Sequence, residues 1–267
     1  ETEVYAMATC MMALLIWLGL RWMEDLNQPR ANRWLLLISF ITGLTFGIQF
    51  MGFLVIPSLV LLYYFKTTQK VTFKNFIIAN VLGVGLLFFV FKFSLTYVLK
   101  FFAWGEIFFV NQFGVPFNVG SLIILLLFFG VFFFALRFTA IKRWVGANTV
   151  VLCFLFLFLG FSSWLMLPLR ASVHVGINEN DPSDARTLLA YYNREQYPST
   201  DSPFYGAYYT DKFASGGDSK DDNPKYERDE TLGKYVIVNA YEEALQGPHP
   251  NHVGLLPRMW SSDKAEK

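Results

Sequence analysis

The sequence predicts an all-α polytopic membrane protein with about six transmembrane helices, followed by a small α/β extracytoplasmic C-terminal region. Three observations carry this. The chain has 267 residues, 54% hydrophobic and 18% aromatic with 29 Phe, and only 16% are charged, against roughly 25% in ordinary soluble domains. The charge is divided: residues 1–168 hold 11 Lys and Arg against 5 Asp and Glu, whereas residues 169–267 hold 11 against 16. Nine of the 11 basic residues of the first part also fall between its apolar runs or at their ends.

The first run is Val4–Trp22, close to the ~20 residues that a helical crossing needs. Trp34–Phe65 is too long for one simple crossing. It contains Gly43, Gly47, Gly52 and Pro57, with Gln49 near its middle. It reads as a helical hairpin turning near GIQFMG. Phe76–Phe93, Gly120–Phe138 and Trp144–Leu167 are single runs. Ser94–Asn118 is aromatic but interrupted by Gly105, Gly114 and Pro116, so it is expected to be interfacial or re-entrant.

Lys and Arg placement supports the hairpin. Arg21, Arg30 and Arg33, then Lys66, Lys70 and Lys74, then Arg137, Lys142 and Arg143 flank successive runs. Cytoplasmic loops carry the excess of basic residues. All three loops share one side only if Trp34–Phe65 crosses twice. The hairpin tip, residues 94–118 and the region 169–267 then share the opposite face, which is periplasmic in a bacterial inner membrane and lumenal in a eukaryote.

In the polar region, Asp181-Pro182-Ser183-Asp184 reads as a helix start with Asp181 as N-cap and Pro182 at the first helical position. A helix is expected over about 182–194, with Leu188, Leu189 and Tyr192 on one face. KYVIVNAY predicts a strand at about 234–240. Residues 215–230 read as a mobile loop. Cys10 and Cys153 lie in apolar runs and are expected as buried small hydrophobes. The chain opens ETEVYA and ends MWSSDKAEK, so it is expected to be a fragment of something longer. No P-loop, GxGxxG or GxSxG occurs, which leaves cytosolic nucleotide chemistry and serine hydrolysis without support; no nucleic-acid partner is expected.

EVYAM, RWLLLISFITGLTFGIQFMGFLVIPSLVLLYYFK, FFVNQFGVPFNVG, LPLRA, INENDPSDARTLLAYYNREQY, YGAYY and PRMWSS together resemble the domain-of-unknown-function 2723 family of membrane proteins, common in Bacteroidota. That family is similar to the eukaryotic protein O-mannosyltransferases. The resemblance implies a GT-C-type glycosyltransferase that takes a sugar, with mannose expected, from a polyprenyl-phosphate donor to protein Ser or Thr on the extracytoplasmic face. The implied partners are membrane lipid, the lipid-linked donor and an acceptor protein. No cofactor is assigned, and a divalent metal is left open. The resemblance also implies a catalytic carboxylate in a loop that would precede Glu1. Where the family favours His at the hairpin tip, this chain has Gln49.

Glu3, beside Glu1 at the start of the first helix, is the catalytic candidate within the chain, able to bind a metal or to orient an acceptor hydroxyl; an acid that merely complements the helix dipole is the alternative. Arg170 follows the last apolar run, and Arg suits bidentate phosphate contact; alternatively it snorkels to the headgroups. Asn178, Glu179 and Asn180 precede the expected cap and so are not explained by it. Their amide and carboxylate groups suit sugar hydroxyls. Asp181 and Asp184 are read as helix-start acids. Arg194, with Glu195, and Tyr205, with Tyr208 and Tyr209, could line an acceptor groove or simply pack. His249 and His252 lack further ligands for a zinc site. Met7, Met11 and Met12 read as packing residues. Two other classes stay open: a transporter subunit, which intramembrane charge would favour, and a non-catalytic envelope or secretion subunit.

Overall fold

The computed structural model describes residues 2–173, 176–178, 180–195, 205–207, 215–220, 224–239, 245–248 and 253–255. The chain divides into two compact units, Glu1–Gly105 with Ser121–Leu188, and Glu106–Gly120 with Leu189–Lys267.

The first unit is helical. Its elements are α1 (Thr2–Glu24), α2 (Asn32–Thr45), α3 (Ile56–Thr67), α4 (Phe73–Phe88), the first part of α5 (Thr96–Phe113), α6 (Val119–Ile141), α7 (Val145–Phe161), α8 (Met166–Ala171) and the start of α9 (Ala185–Asn193). Five stretches are long and apolar enough to cross a membrane: Glu3–Glu24, Phe50–Thr67, Phe73–Phe113, Val119–Ile141 and Val145–Ala171. α2, with 14 residues, is a further helix of the bundle but shorter than a crossing.

The expected hairpin is present as α2, a 3-10 turn at Phe50–Val55 and α3. Pro57 lies in the first turn of α3, where its missing N–H has no intrahelical partner to lose. Two contacts fix the ends of this unit. Trp22 stacks on Tyr63 at 5.3 Å, and Asn32 Nδ2 donates to Thr149 Oγ1 at 3.1 Å. The α1–α2, α3–α4 and α6–α7 turns therefore lie at one end, with Arg30, Arg33, Lys70, Lys142 and Arg143. The hairpin tip, the start of α1 and the end of α7 lie at the other.

Residues 94–118 are a correction to the sequence reading. Up to Phe113 they are continuous helix, with no re-entrant break at Gly105. α4 passes through a π-helical segment, Phe89–Leu95, into α5, giving 41 helical residues. Gly105 does not break the helix, because it is a packing site: a Cβ there would run into the Ile124 side chain of α6. In apolar surroundings the helix keeps its backbone groups bonded to one another. It stops only before Gly114, at φ +64°.

The core of the first unit is Leu15, Leu18, Ile38, Val55 and Leu59, with Trp22, Trp34 and Leu62 against it. α2 and α7 meet through glycine. Gly43 and Gly47, four residues apart, face Gly160 and Ser163, the small-residue pattern by which membrane helices approach closely.

The second unit contains three nested antiparallel pairs. β1 (Tyr205–Ala207) pairs with β6 (Val253–Leu255), β2 (Ser215–Lys220) with β5 (Leu245–Pro248), and β3 (Tyr226–Asp229) with β4 (Lys234–Ile237). β2 and β3 lie inside the stretch 215–230 that was expected as a loop. The β3–β4 turn is closed by Asp229, whose Oδ1 accepts from the backbone of Thr231 and Leu232 and from Thr231 Oγ1, and by Gly233 at φ +61°. On α5, Asn111 acts as a strand edge: Nδ2 donates to Tyr235 O and Oδ1 accepts from Tyr235 N, both at 2.9 Å. Phe117 meets the Tyr235 ring edge-on at 5.3 Å, and the Arg228 guanidinium lies 4.1 Å over Phe117.

Candidate functional site

The end of the first unit that carries the hairpin tip gathers most of the sequence candidates. Its base is aromatic. Phe46, 3% exposed, is ringed by Phe50, Phe53, Phe161 and Trp164 at 4.6 to 6.0 Å, and Phe91 reaches Phe50 and Phe53. Edge-to-face packing of this kind holds a turn rigid beyond what area alone provides. Gly52 allows that turn because a Cβ would come within 2.8 Å of Thr45. Gln49, half-buried and extended at φ −163°, stands at the tip. Ser163 Oγ, buried and without a hydrogen-bond partner among the described residues, faces Gly47.

Glu3 is exposed in the first turn of α1, at this same end. Arg170 is exposed in the last turn of α8, with no side-chain ion pair among the described residues. Asn178 is drawn to the same helix: its Nδ2 donates to Asp181 Oδ1 at 2.7 Å and approaches Ala171 O at 3.4 Å. Arg170 and Asn178 are thus neighbours across a short loop. Asn178 nonetheless has a structural occupation that its sequence context did not disclose.

The cap of α9 is also a correction. The helix begins at Ala185, three residues later than expected, and Asp184 caps it. Asp184 Oδ1 accepts from Thr187 N at 2.8 Å, while Thr187 Oγ1 accepts from Asp184 N at 3.0 Å. This reciprocal pair satisfies two backbone donors at once, which the Asp181 reading could not do. Asn180 and Asp181 instead hold left-handed backbone, φ +67° and +35°, a region that Asn and Asp tolerate better than most residues. Glu179 lies outside the described residues.

Arg194 and the Tyr205 backbone belong to the second unit. Arg194 is exposed, at φ +56°, and Tyr205 pairs with Leu255 in β1–β6. The Tyr205 side chain, Tyr208, Tyr209, His249 and His252 lie outside the described residues. Among the described residues, no group of three His, Cys, Asp or Glu side chains converges as a metal site.

Burial singles out two ionisable residues that the sequence reading passed over. Arg186 is 8% exposed and Glu106 is fully buried. Glu106 Oε1 accepts from Asn118 N at 2.5 Å, and a Cβ on Gly120 would lie 2.9 Å from Glu106 Cα. A buried carboxyl is costly unless it is hydrogen-bonded; here it closes the α5–α6 turn. The sequence signal was E-x₁₃-G across a turn, which no local rule detects.

Residues 1–72 match the family model described as the protein O-mannosyl-transferase TMEM260 N-terminal domain, a stretch that spans α1 to α3. Residues 199–267 match a family of unknown function, DUF8416. No curated protein and no solved structure matches the chain.

Proposed function

We propose that this chain is part of a membrane glycosyltransferase of the protein O-mannosyltransferase kind. It moves a sugar, with mannose the first candidate, from a polyprenyl-phosphate donor to a Ser or Thr hydroxyl of an acceptor protein. The match of residues 1–72 to the O-mannosyl-transferase N-terminal domain carries this reading. The resemblance to the domain-of-unknown-function 2723 family, a GT-C type, supports it. So does the placement of Glu3, the hairpin tip and Arg170 toward the same end of the helical unit, since a lipid-linked donor presents its phosphate at the membrane surface.

In this proposal a carboxylate takes the proton from the acceptor hydroxyl, the oxygen attacks the anomeric carbon, and the lipid phosphate leaves with the bonding pair. Arg170 meets the phosphate charge that grows as the bond breaks. Glu3 orients the acceptor hydroxyl, and Asn178, Glu179 and Asn180 hold sugar hydroxyls. The 169–267 region faces the periplasm of a bacterial inner membrane, or the lumen in a eukaryote, and selects the acceptor.

A transporter would need ionisable groups along a path. Glu106, a fully buried acid, is held to the Asn118 backbone, which fits a structural role better. The test is transfer from polyprenyl-phosphate mannose to Ser/Thr peptides by the full-length protein in liposomes. Transfer that Arg170→Ala and Glu179→Ala reduce supports the reading. Absence of transfer from any polyprenyl-linked sugar, with both variants behaving as wild type in cells, would overturn it.

A further inference from the structure

The opposite end of the helical unit carries a feature that glycosyl transfer does not use. Two cavities there share Arg33. One, of about 340 Å³, is polar and lined by Asp25, Gln28, Pro29, Arg30 and Arg33. The other, of about 370 Å³, is an apolar groove between α2 and α7, lined by Arg33, Leu36, Leu37, Phe40, Phe156 and Leu159.

The charges in the polar cavity are not equivalent. Asp25 is already engaged: Arg33 Nη2 donates to its Oδ2 at 3.1 Å and Trp34 Nε1 at 2.8 Å. Arg33 also lies 4.9 Å over the Trp34 ring, so its position is set. Arg30 is exposed and has no ion pair among the described residues. With Asp25 balanced by Arg33, the cavity keeps one uncommitted positive charge. Immediately beside it begins a groove of aliphatic and aromatic side chains on a helix face that a bilayer would cover.

We infer that this end holds one phospholipid with an anionic headgroup, its phosphate on Arg30 beside the Asp25–Arg33 pair and one acyl chain along the α2–α7 groove. The positive mouth and the apolar floor together argue for an anionic lipid. A soluble anion would have no use for the groove, and a neutral apolar chain would have no use for Arg30. Juxtamembrane Arg side chains gain about 1 kcal/mol each from anionic lipid, which corresponds to roughly a five-fold preference.

The full-length protein in nanodiscs or detergent, examined by native mass spectrometry, tests this with defined probes: phosphatidylglycerol, phosphatidylcholine and inorganic phosphate. One phosphatidylglycerol should be retained about five-fold more strongly than phosphatidylcholine. Arg30→Gln should abolish that preference while leaving the Asp25–Arg33–Trp34 contacts intact. Leu159→Trp, which fills the groove from an exposed position, should weaken retention of both lipids. Leu37→Trp is the second groove variant, should the first not fold. Equal retention of the two lipids by wild type would overturn the inference. Retention unchanged by Arg30→Gln or by the folded groove variant would do the same, as would competition by inorganic phosphate that is indifferent to groove filling.

Discussion

Gly43 of α2 and Gly160 of α7 pack backbone against backbone. A Cβ on Gly43 would stand 3.0 Å from Gly160 Cα and 2.8 Å from Phe161 N, and one on Gly160 would stand 2.8 Å from Leu44 N. These neighbours are backbone and cannot swing away as a side chain could. Gly160→Val should therefore destabilise the helical unit by about 3 kcal/mol, at the upper end of overpacking costs. Thermal unfolding in detergent reads this directly. Gly130→Ala, on a helix face with nothing within 4 Å, is the control and should melt as wild type. Equal melting of all three proteins would exclude the close crossing.

The Asp184–Thr187 cap separates helix-start chemistry from binding chemistry. Asp184→Ala should cost about 1 kcal/mol and speed hydrogen exchange in the first turn of α9. Asp184→Asn should cost less, because an amide oxygen still accepts from Thr187 N. Asp181→Ala should leave α9 exchange unchanged, while freeing Asn178 Nδ2 from its 2.7 Å partner. Faster α9 exchange in the Asp181 variant would restore Asp181 as the cap.

The membrane helices were legible because apolar length is a signal that survives without long-range information. The helix–turn–helix of α2 and α3 was legible because 32 residues are too many for one simple helix and GIQFMG interrupts them, although α2, at 14 residues, is shorter than the second crossing that loop charge parity called for. The remainder depended on facts that a linear reading lacks. Gly105 looks like a breaker in sequence and is a seat for Ile124 in space. Asp181-Pro182 and Asp184-x-x-Thr187 both satisfy helix-start rules, and only the geometry of the hydrogen bonds chooses. Residues 215–230 have no alternation of apolar and polar side chains, so the hairpin they enter rests on backbone pairing and on the Asp229 turn. At the candidate site, Glu3 and Arg170 could be named from position alone. That Asn178 leans on Ala171 could not, because the loop between them has no regular period.

Asn111 replaces a strand partner for Tyr235, so its loss should be felt at the Tyr235 N–H and C=O that it bonds. Asn111→Ala is expected to cost about 2 kcal/mol, within the range for stranding buried polar atoms. Exchange of the Tyr235 amide should accelerate before that of the β3–β4 ladder. Asn111→Asp keeps the acceptor for Tyr235 N but loses the donor to Tyr235 O, so it should be intermediate. An unchanged Tyr235 amide in Asn111→Ala would remove Asn111 from this role.

Asp25 gives the helical unit a defined acid response. The Trp34 indole N–H hydrogen-bonded to it, together with Arg33, holds its carboxyl below the ordinary value of 3.8. A group whose pKa is lowered on folding stabilises the fold above its unfolded pKa, and that contribution is lost as pH falls through the lowered value. The loss should therefore begin near pH 4 and continue below it, with no change between pH 5 and 8 from this group. Trp34 fluorescence should report the transition, because its indole partner becomes protonated. Asp25→Asn should remove that acid transition while leaving the neutral-pH signal stable. A transition that persists in Asp25→Asn would assign it to another carboxyl.

Arg170 tests the proposed chemistry more sharply than any other described residue, because its guanidinium is exposed and has no protein ion pair to lose among the described residues. A structural Arg there would show its loss in melting temperature. A phosphate-binding Arg would show it in catalysis. Arg170→Ala should lower kcat/KM for the polyprenyl-phosphate donor about 10- to 100-fold, the range set by one charge-assisted contact, with little change in melting. Arg170→Lys should recover part of this, since a point charge replaces a bidentate fork. Glu3→Gln should instead depress turnover at saturating donor, because the proposal has it orienting the acceptor hydroxyl. If Arg170→Ala melted several degrees lower and transferred sugar at the wild-type rate, its role would be in the fold alone, and the phosphate would have to be met elsewhere.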